Sequence, residues 1–323
     1  MFTRALCLVG AIFSASYAYA NLSIGYMTSQ GIHYGNSTSL MVDEQNLWIS
    51  KAKISSQYQF KNLSNRTIQE NLMVPVGSAA SIAPNRLAYR SDLSKLFKVQ
   101  HNGVAIDAKP QVRAYIEQYM RLEAEGEWQH QRVDVTALFK RCGVTEAELM
   151  NPWTQRFNRQ MISQKVLSCQ DAEREQVIGA HLLTKSGELI WSAQLFYSWI
   201  HTFLPKTSSK IYYEYQPLLQ GANSLDVASA SDMYCFNDEL KQVTEARPYL
   251  PYTQLHYSMG KGQWAKPITR FGLTIERDRH EVMAMCWSGK IKQRDEQLHI
   301  QVKDFQPEQD LHIMFLDPRR RSR

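Results

Sequence analysis

Beyond its first twenty residues the sequence has no apolar run of the roughly 20 residues that a membrane-crossing helix needs. Catalytic signatures are missing too. There is no Gly-x-Ser-x-Gly elbow, and Trp287-Ser288-Gly289 lacks the first glycine, so it reads as a turn. No His-x-His or His-Glu-x-x-His spacing occurs, and His256, His280, His299 and His312 fall on separate predicted strands, which argues against a metal site. Phosphate-cradling glycine loops, dinucleotide fingerprints and nucleic-acid modules are absent as well. The expectation is a chain with no cofactor, no metal and no catalytic residue readable from its motifs.

Excess charge is also scarce in the body of the chain. The formal charge is +6, but Arg4 lies in the N-terminal segment and Arg319, Arg320, Arg321 and Arg323 crowd the end, which leaves about +1. A nucleic-acid partner, which needs a basic patch, is therefore not expected. Residues 318–323 read as a basic, solvated tail, with a contact to anionic lipid or envelope polymer as the sharper alternative.

What is present begins with export. Arg4, the apolar run Ala5–Ser16 and the small-x-small site Ala18-Tyr19-Ala20 have the three parts of a secretory signal. Cleavage after Ala20 predicts a mature chain of 303 residues without a transmembrane span, working in a periplasm or outside the cell. An uncleaved anchor is the alternative. Cys7 then leaves with the leader, and Cys142, Cys169, Cys235 and Cys286 remain. An even number in an oxidising compartment predicts two disulfides. Three pairings exist; Cys142–Cys169 with Cys235–Cys286 is preferred, because the first two share a helical segment and the last two a β-rich one. No pair has the Cys-x-x-Cys spacing of a structural zinc site.

The pattern along the chain is mainly β. From Trp48 to Phe60 alternate residues form an apolar face against Lys and Gln, as in a half-buried antiparallel strand; Asn62–Asn65 turns it toward a second strand, Ile68–Val76, predicting a hairpin. Leu96–Ile116 reads as strand broken by the turn pair Asn102-Gly103. Between about Asp134 and Leu183 the spacing becomes helical, with a Thr145/Glu148 capping box and Pro152 suited to a first helical turn; two or three helices are expected. After Gly187 alternation returns at Ile211–Tyr215, Phe271–Ile275 and Leu298–Val302, and only Asp238–Val243 looks helical. The predicted fold is a mainly β, antiparallel sandwich-like body with a helical insertion, α+β overall. Its parts are a signal at 1–20, an N-terminal β-rich part at 21–133, the insertion at 134–187, a C-terminal β-rich part of the same domain at 188–317, and the tail.

Several stretches carry a family resemblance. These are Tyr234-Cys235, Tyr257 through Ile268 with Gly260-Lys261-Gly262-Gln263-Trp264 inside it, Phe271-Gly272-Leu273, Cys286-Trp287-Ser288-Gly289, and Phe305-Gln306-Pro307 with Asp310-Leu311. Upstream, Trp191–Trp199, Phe203-Leu204-Pro205, Tyr215-Gln216-Pro217 with Gly221, and Gly31 with the run Glu44–Asn62 follow in order. Together they resemble the bacterial domain-of-unknown-function family numbered 4424, along nearly the whole mature chain and least in the helical insertion. The resemblance implies an exported, β-rich protein and brings no activity. The sequence departs from the family at Asn21-Leu22-Ser23, where an Asn-Asp-Ser-like start is usual, and at Met73-Val74-Pro75-Val76.

Two aromatic features are the candidate ligand contacts. Gly260 and Gly262 allow close backbone approach beside the stacking face of Trp264, although a hairpin loop folding Trp264 back onto the sheet explains the same residues. Trp199 belongs to the dense run Trp191, Phe196, Tyr197, Trp199 and Phe203, which reads as core and cross-strand pairs, with carbohydrate stacking as the alternative. For glycan hydrolysis the carboxylates nearest the motifs are Asp232, Asp238, Glu239 and Asp310, though Asp238 suits a helix cap. The expectation is a non-catalytic, β-rich binding or structural module of the cell envelope, whose partner is an envelope protein or a glycan. The alternative is an envelope hydrolase or carbohydrate-binding protein, and a third class would accept a strand at an exposed sheet edge.

Overall fold

The computed structural model describes residues 21–28, 31–80, 97–121, 128–150, 156–217, 219–222, 227–246, 251–260, 263–307 and 310–319. In chain order its strands begin with β1 (Ser23–Thr28), β2 (Gly31–Tyr34), β3 (Leu40–Ile49), β4 (Ile54–Asn62), β5 (Ile68–Ala80), β6 (Lys98–His101), β7 (Val104–Ile106), β8 (Lys109–Arg121) and β9 (Trp128–Asp134). Four short helices follow: α1 (Thr136–Arg141), α2 (Glu146–Met150), α3 (Arg156–Leu167) and α4 (Ala172–Val177). Then come β10 (Ser192–Phe203), β11 (Ser208–Tyr215), β12 (Gln220–Ala222), α5 (Val227–Tyr234), α6 (Asp238–Ala246) and β13 (Tyr252–Tyr257). The last strands are β14 (Ile268–Glu276), β15 (Val282–Met285), β16 (Lys292–Arg294), β17 (Gln297–Phe305) and β18 (Leu311–Leu316).

These strands form three sheets, so the mainly β class holds. A six-stranded sheet runs β2-β1-β5-β10-β8-β9, an eight-stranded one β16-β17-β14-β3-β4-β11-β6-β7, and a four-stranded one β12-β13-β18-β15. The pairs are antiparallel except β3 with β14, which run parallel. The two large sheets share one core. Phe203 of β10 meets Phe60 of β4 edge-on at 5.5 Å, and Tyr197 of β10 stacks at 4.3 Å on Phe97, which also stacks with Tyr213 and Tyr215 of β11. A smaller core of Tyr234, Phe236, Leu240, Met314 and Leu316 seals α5 and α6 onto the four-stranded sheet.

Local chemistry explains the turns. Asn102 and Gly103 both take positive φ (50° and 84°) and join β6 to β7, the two-residue geometry an Asn-Gly pair favours. Thr145 and Glu148 exchange the two bonds of a capping box, Thr145 N donating to Glu148 Oε2 at 2.8 Å and Glu148 N to Thr145 Oγ1 at 3.2 Å. Cys142 is bonded to Cys169 and Cys235 to Cys286, with Cα separations of 5.4 and 5.0 Å.

The structure corrects the sequence reading at four places. Trp48 and Phe60 do not share one strand: Ser50 N donates to Lys53 O and Lys53 N to Ser50 Oγ, so the chain reverses between β3 and β4. The alternation of Ser and Ala through that turn imitates an unbroken strand. Nor do β4 and β5 form a hairpin; β5 pairs with β1 and β10 in the other sheet, because its length matches β10 from Ile68 opposite Phe203 to Ala80 opposite Ser192. The insertion holds four short helices and a 3-10 turn at Ala180–Leu182 rather than two or three helices. In the C-terminal half α5 precedes α6, and α6 is capped by Asn237, whose Oδ1 accepts from Leu240 N at 2.9 Å, not by Asp238. Pro152, Gly262 and the arginines from Arg320 onward lie outside the described residues.

Candidate functional site

The residue that would open the mature chain sits in the interior. Asn21 is 4 % exposed. Its Nδ2 donates to Met259 O at 2.6 Å, and its Oδ1 accepts from the hydroxyls of Tyr58 and Tyr257 and from Gln45 Nε2. Gln45 in turn donates to the Tyr58 oxygen at 2.8 Å, and Tyr257 and Tyr213 share a hydroxyl contact at 3.1 Å. Burial pushes the phenols of Tyr58, Tyr213 and Tyr257 up, so all three stay protonated and act as donors. The bulge in β3 between Val42 and Glu44 shifts the alternation, which turns Gln45 inward beside Leu47.

Above this network lies a cavity of about 240 Å³. Its walls are Asn21–Ser23, Met259 and Gly260 with Gln263–Ile268, and Phe305–Pro307. Trp264 is part of the wall and sets its ring edge-on against Phe60 at 4.9 Å, so one side of the indole is core and the rest borders the cavity. Gly260, with φ +69°, bends the chain just past the end of β13 and lines the cavity. Gln263 is buried; its Oε1 accepts from Ile24 N at 3.2 Å, while its Nε2 has no hydrogen-bond partner among the described residues. Phe305 closes the far wall, stacked on Phe271 at 4.2 Å, with Trp287 5.9 Å behind it. The Cys235–Cys286 bond lies next to Trp287 in sequence and ties this wall to the end of α5.

Trp199 is not part of this site. It is 4 % exposed, faces the interior from β10, and packs near Phe97 at 6.2 Å. The dense aromatic run is core rather than an exposed strip.

Of the candidate carboxylates, Asp310 holds structure in place, and the side chains of Asp232 and Glu239 lie outside the described residues. Asp310 accepts from Ser258 Oγ at 2.7 Å, from Met259 N at 3.1 Å and contacts His256 Nε2 at 3.3 Å, which pins the exit of β13 just before Gly260. Burial pushes its carboxyl up, but the bonds from His256 and Ser258 outweigh it and the net shift is downward. Asp238 is exposed at the start of α6. Among the described residues lining the cavity there is no carboxylate, histidine or cysteine. No group of three or more such residues that could hold a metal occurs among the described residues. The arrangement can sort ligands by an indole face, an amide donor and the Lys266 ammonium.

A family model, Domain of unknown function (DUF4424), matches residues 20–314. The chain belongs to this family. Residues of the two DUF4424 stretches, Met259, Gly260 and Gln263–Ile268 from one and Phe305–Pro307 from the other, form two of the three walls of the cavity. Comparison with curated proteins gives no match. Among solved structures, a Legionella pneumophila protein described as a "putative nutrient binding protein" is similar at 10 % identity and a TM-score of 0.41, covering 91 % of the DUF4424 chain and 72 % of its own. Leukotriene A4 hydrolase of Saccharomyces cerevisiae is similar at 12 % identity and a TM-score of 0.31, over 87 % of this chain and 29 % of the hydrolase. An M1 zinc metallopeptidase of Deinococcus radiodurans follows at 8 % and 0.25, over 86 % and 42 %.

Proposed function

We propose that this protein is an exported, non-catalytic binding module of the bacterial cell envelope, and that the cavity beside Trp264 is its ligand-contact site. The observation that carries the reading is the unpaired Gln263 Nε2, a buried donor in the wall of that cavity, next to a partly uncovered indole. A buried donor without a partner costs about 1–3 kcal/mol, and a ligand acceptor placed against it recovers that cost. An apolar wall with a few placed polar groups is the usual make-up of a small-molecule site.

Export is supported by the leader-like first twenty residues and by the two disulfides, which persist in oxidising compartments. Among the described residues no helix is long and apolar enough to cross a membrane. N-terminal sequencing of the protein recovered from the periplasm should begin at Asn21, the residue around which the tyrosine network closes.

The test is retention of the purified, oxidised mature protein on envelope extract divided into glycan, lipid and protein fractions. At least one retained component that is lost in Trp264→Ala and Gln263→Ala is the expected result. A set of retained components that both variants keep unchanged on all three fractions would remove the cavity from the account.

A further inference from the structure

A second cavity, of about 270 Å³, lies on the outer face of the eight-stranded sheet, the side away from the shared core. The sheet register arranges it as two adjacent rows across five strands. One row reads Gln301, Gly272, Asn46, Gln57, Tyr212, and the next His299, Thr274, Trp48, Ser55 and, at its end, Glu214. Both rows lie within one pleat spacing of each other, and five strands at about 4.8 Å make a trough of about 19 Å.

From this we propose that the outer trough is a binding site for a neutral oligosaccharide, independent of the Trp264 cavity. Gly272 leaves the trough its depth: a Cβ there would come within 2.7 Å of Asn46 Oδ1. Trp48 is half-buried, and no ring of the described residues stacks on it, so an indole edge or face is left for a sugar ring. The Tyr212 hydroxyl donates to Glu214 at 2.7 Å, which fixes its ring at the other end of the row. Gln57 and Gln301 are exposed, and their planar amides offer a donor and an acceptor each, the combination that pairs with vicinal hydroxyls. Thr274 Oγ1 engages His299 Nδ1 at 3.2 Å, so Nε2 is the ring nitrogen left for a further hydrogen bond.

Charge decides between occupants. The trough lining holds no carboxylate, lysine or arginine. At its borders Glu214 is paired with Lys98 and Lys53, and Arg270 with Asp43 and Glu44, while Lys292 opposite His299 and Lys303 opposite Arg270 are exposed cations with no ion pair among the described residues. A nucleic acid would need several such cations along the trough itself, whereas these two stand at its β17 end; acidic chains are therefore the competitor the experiment must include. A peptide added as a strand would need a sheet edge, and β3, β4 and β14 are each paired on both sides.

The experiment is binding of the mature, disulfide-bonded protein to a microarray of neutral and acidic oligosaccharides, followed by calorimetric titration of the best neutral glycan. Wild type should bind neutral chains; Trp48→Ala should weaken binding at least tenfold and Gly272→Val, which fills the floor, should abolish it. Gly272 has no positive φ and the clash is with the end of a side chain that can swing aside, so Gly272→Val should keep the wild-type melting midpoint. Trp264→Ala should bind neutral glycans normally, which separates this site from the cavity. Absence of neutral-glycan binding, binding confined to acidic chains, or binding that Trp48→Ala and Gly272→Val leave intact would overturn the proposal.

Discussion

Asn21 Oδ1 is a shared acceptor for the hydroxyls of Tyr58 and Tyr257, two side chains on different sheets that are both completely buried. One amide at the start of the described chain therefore satisfies groups from the eight-stranded and four-stranded sheets, while its Nδ2 holds Met259 at the lip of the Trp264 cavity. Replacing Asn21 with Ala removes the acceptor of two buried hydroxyls, which keep only their contacts with Gln45 and Tyr213, and the side-chain donor to Met259 O. The expected loss is about 2–4 kcal/mol, read as a lowered urea midpoint with an unchanged slope. An Asn21→Ala protein of wild-type stability would show that the network is not a structural hub.

The disulfides close loops of 27 and 51 residues. In the chain-entropy model such loops contribute about 3.5 and about 4 kcal/mol. Removing Cys235–Cys286 as a double alanine should lower stability by that order and loosen the wall at Trp287, seen as a red shift of tryptophan emission and weaker ligand retention. Removing Cys142–Cys169 should lower stability while leaving the cavity intact, because that bond lies within the helical insertion.

His201 gives the fold a pH dependence. Burial, with a smaller push from His101 whose ring lies 4.5 Å away, lowers its pKa from the usual 6.5 to about 4. The neutral ring is thus favoured in the folded state. Its contribution is fully present above about pH 6.5 and is lost as pH falls toward 4, on the order of 2–3 kcal/mol in all. His312 is lowered in the same direction, by burial and then by His256. Thermal melts between pH 7.5 and 4 should show a falling midpoint over this window, and His201→Phe should flatten much of it. The carboxylates Glu44 and Asp310, whose pKa values are lowered, lose their contributions only at lower pH. A midpoint independent of pH down to 4 would contradict the assignment.

Trp199 and Trp264 should separate stability from binding. Trp199→Ala empties a core position and should cost about 3–5 kcal/mol without changing ligand specificity where the protein stays folded. Trp264→Ala loses its edge contact with Phe60 and should cost less, but it removes the indole from the cavity wall. Urea denaturation and ligand retention measured on both variants check this pairing.

Much of this was legible in the sequence, for physical reasons that can be named. Alternation at Ile211–Tyr215 and Phe271–Ile275 exposes strands because each has one face in the core, and Asn102-Gly103 and Thr145/Glu148 are local chemistry that needs no tertiary context. The partners of β5 were not legible, since pairing with β10 spans more than a hundred residues and no turn residue announces it. The Ser50–Lys53 reversal was hidden because small polar residues continue the period of two through a turn. The Gly260 and Trp264 part of the cavity stands out by composition, whereas Asn21 and Gln45 do not: a single amide becomes a hub only when two tyrosines and a glutamine converge on it. The trough beside Trp48 was invisible for the same reason, as its two rows exist only in the register of five strands.

The most direct test is to measure retention of the oxidised mature protein on separated envelope glycan, lipid and protein fractions, beside Trp264→Ala and Trp199→Ala. With free neutral glycan in excess to silence the outer trough, the binding-module account predicts retention by the wild type and by folded Trp199→Ala, and its loss in Trp264→Ala. Retention by all three under that competition, or by none on any fraction, would contradict it.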